Sequence, residues 1–254
     1  MEIGRGVALV TGAGRGIGYS IASALAARGF DVALASIEEH GPDLEPFATL
    51  GRRARYYRFD LAKLDQHETL LDEIERDLGV PACLVNNAGV TSLVRGDLLA
   101  LTPESFDRCV AVNLRGTFFL TQGVAKRMLA AGPSEHARSI VTISSANVEI
   151  VGVDRGDYCM TKAALVMMNK LFASRLAEAG IANFEVRPGI IRTDMTAPAF
   201  ERYNPFIAAG GVPMRRWGQP DDIGLAVATL ACGDLPYMTG GHIDVGGGMQ
   251  LHRV

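Results

Sequence analysis

No apolar run in this chain reaches the ~20 residues that a membrane-spanning helix needs, so no membrane partner is expected. Charge of either sign is scarce as an excess. With 25 basic and 28 acidic side chains the net charge is −3, which argues against a general nucleic-acid surface and makes nucleic acid an unexpected partner. The four cysteines, Cys83, Cys109, Cys159 and Cys232, are far apart and form no CxxC spacing. They read as free thiols of a reducing compartment, with no disulfide and no metal site expected. The chain runs almost directly into an apolar segment at Val7–Val10, too early for an export signal, and a cytoplasmic protein is expected. No linker, charge block or repeat divides it, so residues 1–254 are read as a single domain.

What is present is an alternation. Candidate strands at Val7–Thr11, Val32–Ser36, Arg55–Phe59, Cys83–Asn86, Ser139–Ser144, Asn183–Arg187 and His242–Val245 are separated by helical patterns near 17–29, 65–78, 103–131, 157–179 and 220–232. Continuous apolar strands between helices specify an α/β, doubly wound fold: one parallel sheet of about seven strands, covered by helices on both faces. Two stretches interrupt the pattern. Residues 131–138 form a polar loop, and 190–216 form a connection long enough to be read as a substrate lid.

Two motifs carry chemistry. Tyr158 and Lys162, four apart on a predicted helix, share one face as an acid–base pair. A tyrosine that moves protons near neutrality needs its pKa lowered by up to ~3, about 4 kcal/mol, and a neighbouring lysine cation acts in that direction. The bland alternative is a solvated helix pair. At the other end, Thr11-Gly12-Ala13-Gly14-Arg15-Gly16-Ile17-Gly18 turns the first strand into the first helix. Glycines there let a pyrophosphate approach backbone N–H groups at the positive end of that helix; a merely tight turn is the alternative.

The TGxxxGxG spacing differs from the common GxGxxG fingerprint and resembles the short-chain dehydrogenase/reductase family, and the resemblance extends over essentially the whole chain. It implies a Rossmann fold and an NAD(P)(H)-dependent oxidoreductase that interconverts a carbonyl and a secondary alcohol. Its other motifs stand in order: Asp60-Leu61 matches an adenine-binding pair, Asn86-Asn87-Ala88-Gly89 an NNAG strand end, and Pro188-Gly189 with Ile191 and Thr193 the segment that contacts the nicotinamide. Asn113 and Ser145, the latter thirteen residues before Tyr158, complete a catalytic tetrad with Tyr158 and Lys162. The resemblance implies that Ser145 holds the substrate oxygen, Tyr158 donates or removes its proton, Lys162 lowers the Tyr158 pKa and bonds the ribose, and Asn113 holds a relaying water. Each match has a structural alternative: Asp60 as a loop cap, Asn86 and Asn87 as turn residues, Pro188-Gly189 as a strand stop.

NADP(H) is expected over NAD(H), with dual use allowed, because Ser36 rather than an acid ends the second strand and Arg15 adds a cation to the glycine loop. Against it, Ile37 replaces a second arginine, and Glu38 and Glu39 follow. For substrate, Asn147, Glu149 and Met195 join Ser145 and Tyr158 as candidates, with Ile150, Val151, Asp154 and the 196–217 segment nearby. The overall look is nearest to bacterial 3-oxoacyl-[acyl-carrier-protein] reductases. Recognition of an acyl carrier would need a basic patch, for which Lys126, Arg127 and Arg175 are candidates. Glycine at 246–248, where that family has aspartate, and the 131–138 loop depart from the pattern. A polyol or sugar dehydrogenase is the alternative enzyme, and a non-catalytic redox sensor the alternative outside enzymes. Apolar helical runs at 118–128 and 163–176 imply, by the resemblance, a homotetramer, with a dimer second and internal core helices the remaining reading.

Overall fold

A computed structural model describes residues 4–251. Seven strands form one sheet, all parallel: β1 (Val7–Thr11), β2 (Asp31–Ser36), β3 (Ala54–Arg58), β4 (Pro81–Asn86), β5 (Arg138–Ile143), β6 (Ile181–Pro188) and β7 (His242–Val245). Their spatial order is β3-β2-β1-β4-β5-β6-β7. The chain therefore winds outward twice from β1, and the winding reverses between β1 and β4. A crevice opens there, beyond the C-terminal strand ends.

Alternation along β1 shows how the core is divided. Ala8 and Val10 face a cluster with Ile21, Leu25, Ile223 and Val227, from α1 (Gly16–Ala27) and α8 (Pro220–Ala231). Val7 and Leu9 face the opposite cluster, with Leu71 and Ile74 of α3 (His67–Asp77) and Leu120 and Val124 of α5 (Thr117–Ala130). Every residue of β1 is buried. Each such aliphatic side chain contributes about 1.5–3 kcal/mol, so the strand that carries the glycine turn is anchored from both sides.

The single helix expected at 103–131 is instead three pieces: α4 (Pro103–Cys109), a π-helical stretch at Val110–Gly116, and α5. A π turn inserts a residue and re-aims its neighbours, and Asn113 lies in the middle of this one. Two further helices were not anticipated, α2 (Glu45–Thr49) and α7 (Phe200–Ala208) inside the lid. Pro205 lies inside α7 and masks an amphipathic spacing of Phe200, Tyr203 and Ile207. The helix α6 (Gly156–Leu176) carries Tyr158 and Lys162. The polar loop at 131–138 is present, closed by Arg138, whose Nη1 donates to the carbonyls of Met128 and Gly132 at 2.6 Å.

Candidate active site

The glycine turn is shaped by backbone that no side chain would tolerate. Gly12 and Gly16 have φ of +64° and +57°, and a Cβ on Gly18 would come within 2.1 Å of the Gly12 carbonyl oxygen. Arg15, at the N-cap of α1, makes no side-chain cap, so the first amides of that helix are left for a ligand. The NNAG segment locks the turn from behind. Asn87 donates its amide to the carbonyls of Thr11 (2.9 Å) and Gly12 (3.2 Å), while the Thr11 hydroxyl accepts from the backbone N–H of Asn87 and Ala88. Asn86 turns the other way and bonds Thr121 inside the protein.

Beside the glycine turn lies the acid that the sequence weighs against NADP(H). Glu38 folds back so that its carboxylate accepts from the Ser36 hydroxyl and lies 2.9 Å from where a Cβ on Gly14 would be. Its own carbonyl accepts from the Tyr56 hydroxyl at 2.5 Å. Arg15 is not free: it pairs with Glu38 at 3.2 Å and with Asp194 at 2.6 Å. Asp60 caps its own loop, accepting from the amide of Ala62 at 3.0 Å, and Leu61 is buried beside it.

The four proposed catalytic residues come from three places in the fold: Asn113 from the π stretch, Ser145 from just beyond β5, and Tyr158 and Lys162 from α6. Asn113 accepts from the Val90 amide (2.8 Å) and donates to the Val90 carbonyl (2.9 Å) and the Thr161 hydroxyl (3.1 Å), which fixes its amide plane completely. A Cβ on Gly89 would lie 3.3 Å from Asn113 Oδ1 and 3.5 Å from Lys162 Nζ, so the missing side chain of Gly89 opens the space where they converge. Lys162 is buried and donates to the Ile143 carbonyl at 2.8 Å. Burial lowers its pKa to about 8. The Ser145 hydroxyl accepts from the Asn147 amide at 3.1 Å.

The expected lowering of the Tyr158 pKa by Lys162 is corrected by the geometry. Burial of the phenol dominates and raises it; the groups that oppose this are the Ser145 hydroxyl, through a hydrogen bond, and the nearby Arg155 and Arg95 guanidinium groups. Lys162 Nζ lies 5.7 Å from the centre of the Tyr158 ring and points at a carbonyl.

On the nicotinamide side, Gly189 ends β6 and touches Gly246 backbone to backbone. Its amide donates to Val245 at 3.0 Å, and a Cβ on it would meet the Gly246 Cα at 2.6 Å. Ile191 is buried, and Thr193 lies over Gly16. These residues fit a nicotinamide dinucleotide: the cradle at one end lacks Cβ atoms, and so does the one at the other.

Around Ser145 the substrate candidates separate. Asn147 faces the site, its Oδ1 accepting from Arg155 Nε (3.3 Å) and Nη2 (3.2 Å). Glu149 is committed elsewhere, accepting from Arg187 Nη1 at 2.5 Å; Arg187 also pairs with Glu185, which takes the Ser144 hydroxyl at 2.5 Å. Met195 is exposed on the lid. Asp154, expected as a sugar-binding or solvated acid, instead holds Arg155 (3.3 Å) and Arg202 of α7 (3.1 Å). The carrier-protein patch is weakened at its centre, because Arg127 is surrounded by Glu68, Asp72 and Glu75 at 2.7 to 3.1 Å. Among the described residues no helix is long and apolar enough to cross a membrane, no cluster has the makings of a metal site, and the four cysteines are free.

Comparison with known proteins places this geometry. The family profile described as Enoyl-(Acyl carrier protein) reductase matches residues 12–250. The crystal structure of a 3-oxoacyl-[acyl-carrier protein] reductase from Brucella melitensis in complex with NAD is similar over 100% of both chains, with 48% identity and a TM-score of 0.97. The (3R)-3-hydroxyacyl-CoA dehydrogenase of Mus musculus is 33% identical, covering 96% of each chain. An Agrobacterium tumefaciens protein assigned as a 2-deoxy-d-gluconate 3-dehydrogenase, with bound NADP, is 32% identical over 97% of both, with a TM-score of 0.85.

Proposed function

Since the chain belongs to the short-chain dehydrogenase/reductase family, oxidoreductases that act on CH–OH groups with NAD(P), we propose that its own tetrad interconverts a secondary alcohol and a carbonyl and that it does so with NAD(H). The observation that carries the reaction is a connected set: Asn113 and Lys162 converge on the space left by Gly89, Lys162 lies 5.7 Å from the Tyr158 ring, and the Tyr158 phenol bonds the Ser145 hydroxyl. The bound cofactor supplies or accepts the hydride. Ser145 orients the substrate oxygen, Tyr158 gives it a proton or takes one, and Lys162 holds positive charge behind the phenol up to about pH 8. Asn113 keeps Val90 and Thr161 in register around the lysine.

Glu38 reverses the preference expected from sequence. A carboxylate beside Ser36 and the glycine turn suits the hydroxyls of an adenosine ribose and repels a 2′-phosphate. Arg15, the cation expected to favour the phosphate, is spent on Glu38 and Asp194. NAD in the Brucella relative agrees with this assignment. A cytoplasmic homotetramer remains part of the reading. Phe119 of α5 and Met160, Met167 and Leu171 of α6 are exposed, an apolar surface that suits a subunit contact. Of the substrates, a 3-oxoacyl compound follows the relatives' names, and a polyhydroxylated one is the second reading, favoured by the charged groups around Asn147.

The test is a rate comparison of NADH with NADPH on one carbonyl substrate, accompanied by the Tyr158→Phe variant. Faster turnover with NADPH would overturn the cofactor assignment, and undiminished turnover in the variant would overturn the mechanism.

A further inference from the structure

Beside the tetrad lies a positive cluster that the reaction itself does not require. The segments 93–98 and 152–156 are bound together: the Gly96 amide donates to the Asp154 carbonyl at 3.2 Å, and a Cβ on Gly156 would clash with the Leu98 side chain at 2.4 Å. This brings Arg95 next to Arg155. Arg155 is largely buried, with a side chain 15% exposed, and is one residue removed from Ser145 through Asn147. Arg95 is half-buried; among the described residues it makes no side-chain hydrogen bond or close ion pair, and its charge acts on Asp154 only from a distance. From the lid, Arg202 reaches Asp154 and Tyr203 packs on Trp217 at 5.9 Å between ring centres.

The charges do not cancel. Three guanidinium groups, Arg95, Arg155 and Arg202, act on one carboxylate, Asp154, paired with Arg155 and Arg202; the other carboxylate on the cavity between the two segments, the exposed Asp97, accepts from the Leu99 amide. Asp157 below is occupied by the Ser92 and Ser105 hydroxyls and the Tyr158 amide. Glu149 is turned away to Arg187. The two phenols register the excess: burial raises the pKa of both, and Arg155 and Arg95 oppose it at both. At Tyr203, where Arg202 adds its hydrogen bond, the net shift is downward. A half-buried guanidinium with no close partner of its own, sharing one carboxylate with two others, is costly unless a further anion completes it.

We propose that Arg95 and Arg155 bind a carboxylate carried by the substrate, so that the molecule oxidised or reduced here is a small hydroxy or oxo acid and not a neutral acyl chain. The inference rests on the oxidoreductase reading above and, within it, replaces the 3-oxoacyl substrate with one that carries a free carboxylate. The phosphate of a pantetheine arm is the other common anion on such substrates, yet it lies at the far end of the arm from the thioester carbonyl. It cannot reach Arg95 while that carbonyl sits at Tyr158. A carboxylate a few bonds from the carbinol can, and a planar guanidinium matches its two oxygens.

The experiment compares kcat/KM with NAD for hydroxy acids and their uncharged partners, 3-hydroxybutyrate with its methyl ester and D-gluconate with gluconamide, in the unmodified protein and in Arg95→Gln and Arg95→Lys. NADH binding verifies that each variant is folded. Acids are expected to be preferred at least tenfold, and Arg95→Gln to reduce that preference about tenfold through KM, with Arg95→Lys restoring part of it. Butyrate is expected to compete with substrate where butyramide does not. Equal use of acids and their uncharged partners, or a preference unmoved by Arg95→Gln, would overturn the carboxylate subsite while leaving the oxidoreductase reading standing. No turnover of any alcohol or carbonyl in the panel, with NAD or NADP, would instead remove the parent reading.

Discussion

The two halves of the cleft are built from different materials. The cofactor half is mostly backbone: turns at Gly12 and Gly16, open amides at the start of α1, and Asn87 clamped onto Thr11 and Gly12. The other half, around Asn147, is mostly charged side chains paired with one another across loops, β6 and α7, with Arg155 on Asn147, Asp154 between Arg155 and Arg202, and Arg187 on Glu149. Backbone sites need particular residues at fixed spacing and so resist change. Side-chain networks can be rewired one residue at a time, and that is where members of one family with one reaction differ in what they act on.

If that division holds, damage to the chemistry shared by both halves has the largest effect. Tyr158→Phe is expected to lower kcat by about 10²–10⁴-fold while NADH still binds, as followed by fluorescence titration. Next comes a thermodynamic signature of Lys162. Its pKa is near 8 when folded and ~10.4 when unfolded, so the unfolded chain holds more protons between those values and stability rises with pH across that window. The rise is about 3 kcal/mol at most. Urea unfolding without cofactor at pH 7.5 and 10, with Lys162→Met lacking the increment, checks this. A smaller effect is expected from Glu38→Gln, which removes a charge from the cofactor half alone: the NAD(H)-to-NADP(H) ratio of kcat/KM should fall about tenfold, ~1.4 kcal/mol. An altered substrate preference in that variant would break the division. Least of all, Arg202→Ala opens one exposed ion pair and is expected to cost only ~0.2–1 kcal/mol in thermal unfolding, with its main effect on substrate KM.

The same division explains what was legible in the sequence. The strands follow from period, and the sheet has them where that signal falls; the glycine turn, the NNAG segment and the tetrad were legible through spacing and the motif order of the family resemblance. The π stretch around Asn113 leaves no periodic trace distinct from a long helix, and α7 is masked by Pro205. Glu38 was visible and weighed against NADP(H), but its placement was not legible, because it reaches the position of a strand-end acid from two residues further on by folding back onto Ser36. The partners of Glu149, Arg127 and Asp154 are fixed by side chains remote in sequence, such as Arg187, Glu68 and Arg202, and no local pattern encodes those pairings.

One contact joins the halves. Arg15 in the glycine loop holds Asp194 at the root of the lid, and Thr193 lies over Gly16. If the dinucleotide lies on the glycine turn and 190–216 closes over the substrate, the floor of one ligand's berth is the hinge of the other's door, and the expected traffic has a sequence in which dinucleotide enters first and departs last. In steady-state kinetics this is a compulsory-order pattern, visible as product inhibition that is competitive only between the two forms of the dinucleotide.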